Sequence, residues 1–272
     1  MKKIKEMFLK LWKIARNPMI RVLPGQIAFF LVLSIFPILM LVGVISSFFS
    51  ISMDTIIAAI ADSFPKDVVN LLTPLLTGKV FDTNMGILMI TGFFMASNGA
   101  HSIILASNTL YEFPHADVIR RRVKAVFIII LMVSLFIFTI LVLAFGDIIM
   151  KHVLELVTSD KLADTIYKLF ILLRWPFAMF IMFFNIKLIY TLAPDWKILS
   201  KYTTKGAVFT TVGWIVATMI YSYYATHFSN YDFFYGSLSS IVVLMIWVYA
   251  LSYILVIGIA INVNVYQNVK EE

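Results

Sequence analysis

Ser97, Asn98, His101, Ser102 and Asn108 stand in the stretch MASNGAHSIILASN, Met95 to Asn108. With His101 neutral, no charge interrupts the sequence from Thr83 to Tyr111. Hydroxyl, amide and imidazole groups supply hydrogen-bond donors and acceptors. The chemistry open to them is to pass a polar solute or lipid headgroup along the helix, or to bond a neighbouring helix. At 100° per residue, Ser97, His101 and Asn108 fall within about 40° of one another. Thr91, Asn98, Ser102 and Thr109 form a second row about 100–140° round, giving a polar face about 140° wide. The other side carries Gly92, Ala96 and Ala100, a small-residue series that lets another helix approach closely. Neither face suits lipid, which places this helix inside a bundle. A helix contact needs only one or two such polar groups, so seven favour a water-accessible path. A lone neutral histidine packs against a neighbour as often as it binds a ligand.

Matching features recur downstream. Thr211, Thr218 and Ser222 share a face, and Gly206 and Gly213 lie one heptad apart; Gly258 and Asn262 stack at i, i+4. The candidate path residues are therefore Ser97, Asn98, His101, Ser102, Asn108, Thr211, Thr218, Ser222 and Asn262.

The elements that must hold these residues follow from composition. Of 272 residues, 61% are hydrophobic and only 14% charged, against about a quarter charged in soluble domains. A bilayer core needs about 20 apolar residues as helix. The charge-free blocks predict an all-α fold with six transmembrane helices near residues 26–49, 85–110, 125–146, 167–190, 206–228 and 237–265, in a single domain over 1–272. Ile4, Met7, Phe8, Leu11, Trp12 and Ala15 line one face of the opening segment. That pattern predicts a cytoplasmic amphipathic helix over 1–21, lying on the membrane rather than cleaved as a signal. Of two long outer connections, Ser50–Asn84 reads as short amphipathic or re-entrant helices, and Asp147–Lys168 as one surface helix with a break near Thr158–Asp160.

Charge sets the orientation. Basic residues crowd the N-terminal tail (Lys2, Lys3 and five more), the second–third connection (Arg120, Arg121, Arg122, Lys124) and the fourth–fifth connection. Lys66, Lys79, Lys151, Lys161, Lys168 and Arg174 fall opposite. The positive-inside rule predicts cytoplasmic N- and C-termini in a multi-pass cell-membrane protein. The net charge of +7 then reflects anionic inner-leaflet headgroups, contacted by Lys2, Lys3, Arg120, Arg121, Arg122 and Lys124, and not nucleic acid.

The chain has no cysteine, and its four histidines lack metal-ligand spacing. No carboxylate sits centrally in a span, as a proton relay would need. There is no HExxH, GxSxG, GxxxxGK[ST] or GxGxxG. The expectation is a protein without cofactor or metal and without catalytic residues.

The motifs together resemble the YihY/BrkB family of bacterial inner-membrane proteins. The resemblance runs from about Gly25 to Asn262 through GQIAFFLVLSIFPIL, SNGAHSIILASNTLY with Arg120–Arg122 after it, YTLAPD, KGAVFTTVGW, YGSLSSIVVLMIWVY and GIAIN. It implies six transmembrane helices and no settled activity. The family has carried a ribonuclease label and an association with serum resistance and envelope lipid transport. The label has no carboxylate cluster here to support it. Ala260 stands where the family often has a glutamate, which removes any ionic role at that position.

The resulting expectation is a transporter or exporter moving a polar solute or lipid through a polar-lined helix bundle, in contact with membrane lipids and open to homo-oligomerisation. The alternative is a non-transporting envelope scaffold or regulator, in which the same stripe packs against a partner helix.

Overall fold

A computed structural model describes residues 21–34, 85–114, 117–139, 160–227 and 239–270, with scattered positions between. The expected N-terminal amphipathic helix, the later part of the first span, most of the Ser50–Asn84 connection and most of residues 147–159 lie outside the described residues; residues 160–168, expected in the second outer connection, instead form the first turns of the helix that continues to Leu192. The described structure is helical: α1 (Arg21–Ser34), α2 (Met85–Tyr111), α3 (Val118–Thr139), α4 (Asp160–Leu192), α5 (Thr204–His227) and α6 (Ser239–Lys270). A single 3-10 turn, Ser200–Tyr202, joins α4 to α5. Among the described residues, three helical stretches are long and apolar enough to cross a membrane: Lys161–Leu192, Thr204–Tyr224 and Val242–Val269.

Local chemistry explains where the helices stop. At the end of α2, Glu112 adopts a left-handed conformation with φ 56°. The Phe113 N–H reaches back to the Asn108 carbonyl at 2.9 Å, and Glu112 N–H to Thr109 at 3.4 Å. This is a Schellman closure, and Pro114 beyond it cannot continue the helix. α4 ends similarly at a proline: Ala193 N–H still bonds Ile189 O at 2.8 Å, then Pro194 interrupts. Thr203 opens α5 by accepting the Ala207 N–H at 3.1 Å. Within α4, Pro176 removes one backbone donor.

Packing closes these helices into a ring. α2 packs on α3, α3 on α4, α4 on α5, α5 on α6, and α6 returns to α2. α1 lies against the α2–α6 seam: Phe30 and Leu31 approach Gly99, and Ala28 packs with Leu244 and Val248. The core is formed by Ile27, Ile103, Ile104, Ile128, Ile186, Ile189, Leu255 and Ile259, among others. Outward faces are also apolar: Leu169, Leu172, Trp175, Phe177, Phe180 and Phe184 on α4 are all exposed. Water would not tolerate so large a patch, whereas lipid tails do. α4 exposes most of its apolar side chains, whereas α6 buries Leu244, Val248, Leu255, Val256 and Ile259, so α6 is the more interior of the two.

Candidate functional site

Ser97, Ser102 and Asn108 of the α2 stripe are buried, whereas Asn98 and His101 are half-buried. The serines spend their hydroxyls on their own helix: Ser97 Oγ donates to Phe94 O at 2.7 Å, and Ser102 Oγ to Asn98 O at 2.9 Å. The amides reach further. Asn98 Oδ1 accepts from Arg122 Nη1 of α3 at 2.7 Å, and that guanidinium lies 3.9 Å over the Phe94 ring. The stripe thus divides into self-satisfied hydroxyls and amides that bind other elements.

Asn108 is at the centre of a charged knot. Its Nδ2 donates to Asp195 Oδ2 at 2.6 Å, and its Oδ1 accepts the Asp195 backbone N–H at 2.8 Å. Lys124 Nζ completes the group, donating to Asp195 Oδ1 at 2.9 Å and to Pro194 O at 2.8 Å. The Asp195 side chain is 1% exposed and that of Lys124 19%. Three elements meet here: the end of α2, the second turn of α3 and the connection after α4. The prolyl bond turns the chain so that Asp195 points back among the helices. Both carboxylate oxygens have donors, which offsets the cost of burying the charge.

A second lattice joins α4, α5 and α6. Tyr190 OH donates to Leu255 O at 2.8 Å and lies 2.6 Å from Thr210 Oγ1. Asn262 Oδ1 accepts the Gly206 N–H at 2.7 Å, and its Nδ2 has no partner among the described residues. Thr191 and Thr203 hydroxyls lie 3.0 Å apart, while Trp214 Nε1 donates to Leu251 O at 2.9 Å. Tyr190→Phe would strip two hydrogen bonds from a fully buried site and strand the Thr210 hydroxyl. It is expected to cost about 1–3 kcal/mol, read as a lower thermal midpoint in detergent with helix content unchanged.

The remaining sequence candidates spread along α5. Thr211 is buried and donates to its own Ala207 O at 2.8 Å. Thr218 and Ser222 are exposed, with Trp247 Nε1 3.4 Å from Thr218 Oγ1. The structure therefore brings Asn108 to Asp195 in the α4–α5 connection, Asn98 to α3, and Asn262 to α5. Thr211 donates within its own helix, and Thr218 meets Trp247 of α6. Arg120 is exposed and Arg121 half-buried, while Arg122 turns to Asn98 of α2 and Lys124 to Asp195 after α4. Lys2 and Lys3 lie outside the described residues. Tyr190 and Asp195 are marked in the sequence only by the motif YTLAPD, whose aspartate follows a proline at the close of a span, and Thr210 only by KGAVFTTVGW. Among the described residues no three His, Cys, Asp or Glu side chains gather as for a metal ion.

Residues 15–272 match the family model described as virulence factor BrkB. The chain is 27% identical over 250 residues to YfkH of Bacillus subtilis (strain 168), whose name describes it as ribonuclease-like; the alignment covers 90% of each chain. It is 31% identical over 105 residues to a UPF0761 membrane protein of Vibrio campbellii, covering 39% of this chain and 32% of that one. A UPF0761 membrane protein of Idiomarina loihiensis is 31% identical over 77 residues, 28% of this chain and 27% of its own. No solved structure matches. A match over most of the length, together with helices made for lipid, places the chain in the BrkB virulence-factor family of membrane proteins.

Proposed function

We propose that the chain is a six-span protein of the cytoplasmic membrane, with both termini in the cytoplasm, that moves a polar solute or a lipid across it. The observation that carries this reading is the buried Asn108–Asp195–Lys124 knot at one end of the helix ring. Ionisable groups turned into a membrane bundle are costly, and they recur where substrates or ions pass. The knot joins α2, α3 and the α4–α5 connection, so releasing its four hydrogen bonds frees that end of the ring. It acts as the closed inner mouth, and the polar face of α2 leads away from it. The crowding of Lys and Arg on the segments near this end supports its cytoplasmic placement. The mechanism needs no catalytic residue.

The test is flux in proteoliposomes of the purified full chain, with lipid scrambling and polar-solute release followed in the same vesicles. Asn98 is half-buried, so Asn98→Leu removes a polar group of the stripe without overfilling the core. Flux above empty vesicles is expected, falling about tenfold or more in Asn98→Leu, with helix content and elution in detergent kept and the thermal midpoint lowered only by the lost Arg122 bond. Flux at the native rate in the variant, or none above empty vesicles from folded protein, overturns transport and leaves the scaffold reading.

A further inference from the structure

The first two turns of α3 set two cations against the rest of the bundle, and the chain treats them differently. Lys124 is neutralised by Asp195. Arg122 has no carboxylate in ion-pair range among the described residues; its partners are the neutral Asn98 amide and the Phe94 ring. A guanidinium carries five N–H donors in a rigid plane, and only one is given to Asn98. An arginine near a helix end ordinarily extends toward the headgroups. Arg122 instead reaches Asn98, which stands about 20 Å of helix rise before the α2 end at Tyr111. Phe94 and Asn98 are i, i+4 neighbours on α2 and hold the group from below and from one side. A ring beneath the plane restricts tilt, and the Asn98 bond occupies only one of the fork's N–H groups. The site is reachable, because Phe94 is 59% exposed.

We infer that Arg122, seated by Asn98 and Phe94, is a recognition site for a phosphate oxyanion. An uncompensated cation beside lipid-facing apolar side chains is expensive, and the planar fork matches two oxygens of a phosphate group. Among oxyanions, phosphate is the one a bilayer supplies in quantity. The source is a phospholipid headgroup or a soluble phosphate ester, and both present the same oxygens. The inference rests on the transport reading for what becomes of the bound group, but not for the binding itself.

The experiment uses the full chain in detergent, titrated with phosphatidylglycerol, with diacylglycerol lacking the phosphate, and with glycerol 3-phosphate, bound species being counted by native mass spectrometry. The native chain is expected to prefer phosphatidylglycerol over diacylglycerol by about tenfold, an energy of about 1.4 kcal/mol. Arg122→Gln is expected to abolish that preference. Arg122→Lys keeps the charge without the fork and is expected to retain only part of it, and Phe94→Leu to weaken it several-fold. Preference retained in Arg122→Gln, or absent from the native chain, overturns the site. Should Arg122→Gln fold poorly, Arg122→Lys decides, since full native binding there shows that the fork is not read. Arg122-dependent binding of glycerol 3-phosphate identifies a soluble ester as ligand; dependence confined to phosphatidylglycerol identifies the headgroup. Phosphate preference without flux keeps this site and removes transport, whereas flux without the preference does the reverse.

Discussion

Lys124→Met is expected to destabilise the protein by about 3 kcal/mol, and Lys124→Met/Asp195→Asn by markedly less than the sum of its two single changes. Breaking a buried ion pair from one side usually costs about 3–5 kcal/mol, because the abandoned charge stays buried. The lower figure applies because Lys124 is itself 19% exposed, so part of its hydration survives in the native pair. Asp195 is the more deeply held partner at 1% exposure, and in Lys124→Met its Oδ1 loses its ammonium donor. Asn108 continues to serve Oδ2. Asp195→Asn alone turns an amide N–H toward a cation, or else deprives Asn108 of its acceptor. In the double variant neither conflict remains, because no cation is left and an amide oxygen can still accept from Asn108. A coupling of at least 1.5 kcal/mol is therefore expected, well above the scatter of independent sites. Reversible unfolding in mixed micelles measures it, and additive single changes would mean that the knot is not a unit.

The reach of sequence reasoning differed among these residues for physical reasons. The polar face and small-residue face of α2 follow from a single period of 100°, a property of one helix alone. The apolar outward faces of α4 are likewise legible, because lipid demands no particular partner. Asn108 is visibly polar and out of place, but its role depends on Asp195, which is 87 positions away. Asp195 lies just past a helix end, where an acidic residue looks like ordinary loop solvation. Only the turn at Pro194 aims it inward. Lys124 was equally opaque: topology rules count a cation beside a span as surface charge and carry no information about a buried counter-ion. Thr210 and Thr211 show how fine the limit is. Both are buried, but one joins Tyr190 on another helix while its neighbour bonds its own backbone. One residue of rotation separates those fates, and the hydrophobic pattern of α5 does not resolve it.

Gly206→Ala is expected to be the most disruptive single methyl that can be added to the described helices, lowering stability by about 3 kcal/mol. In membrane bundles, close approach of small residues and interhelical hydrogen bonds replace the hydrophobic drive. At Gly206 both operate at one point: its N–H is bonded by Asn262 Oδ1 at 2.7 Å, and a Cβ there would strike the Gly258 carbonyl oxygen and the Asn262 amide. A carbonyl in a helix cannot rotate aside, so α5 and α6 must separate, straining the Asn262 bond as they do. Overpacking alone costs about 1–3 kcal/mol, and the weakened hydrogen bond takes the total toward the upper end. Gly258→Ala should cost slightly less, since its Cβ meets Thr210 Oγ1 and Tyr190 OH, side-chain atoms that can yield only by giving up their mutual bond. Gly213→Ala meets the Ile254 Cγ2 methyl at 2.7 Å, a single apolar contact with no hydrogen bond at stake, and should cost less again although a β-branched χ1 is stiff in a helix. Gly25→Ala meets nothing within 4 Å and should be neutral or stabilising by up to about 1 kcal/mol through helix propensity. Thermal midpoints of the four variants in one detergent test that order. A Gly206→Ala protein as stable as Gly25→Ala would show that α5 and α6 are not held at contact distance, and that Asn262 binds Gly206 across a seam with room to spare.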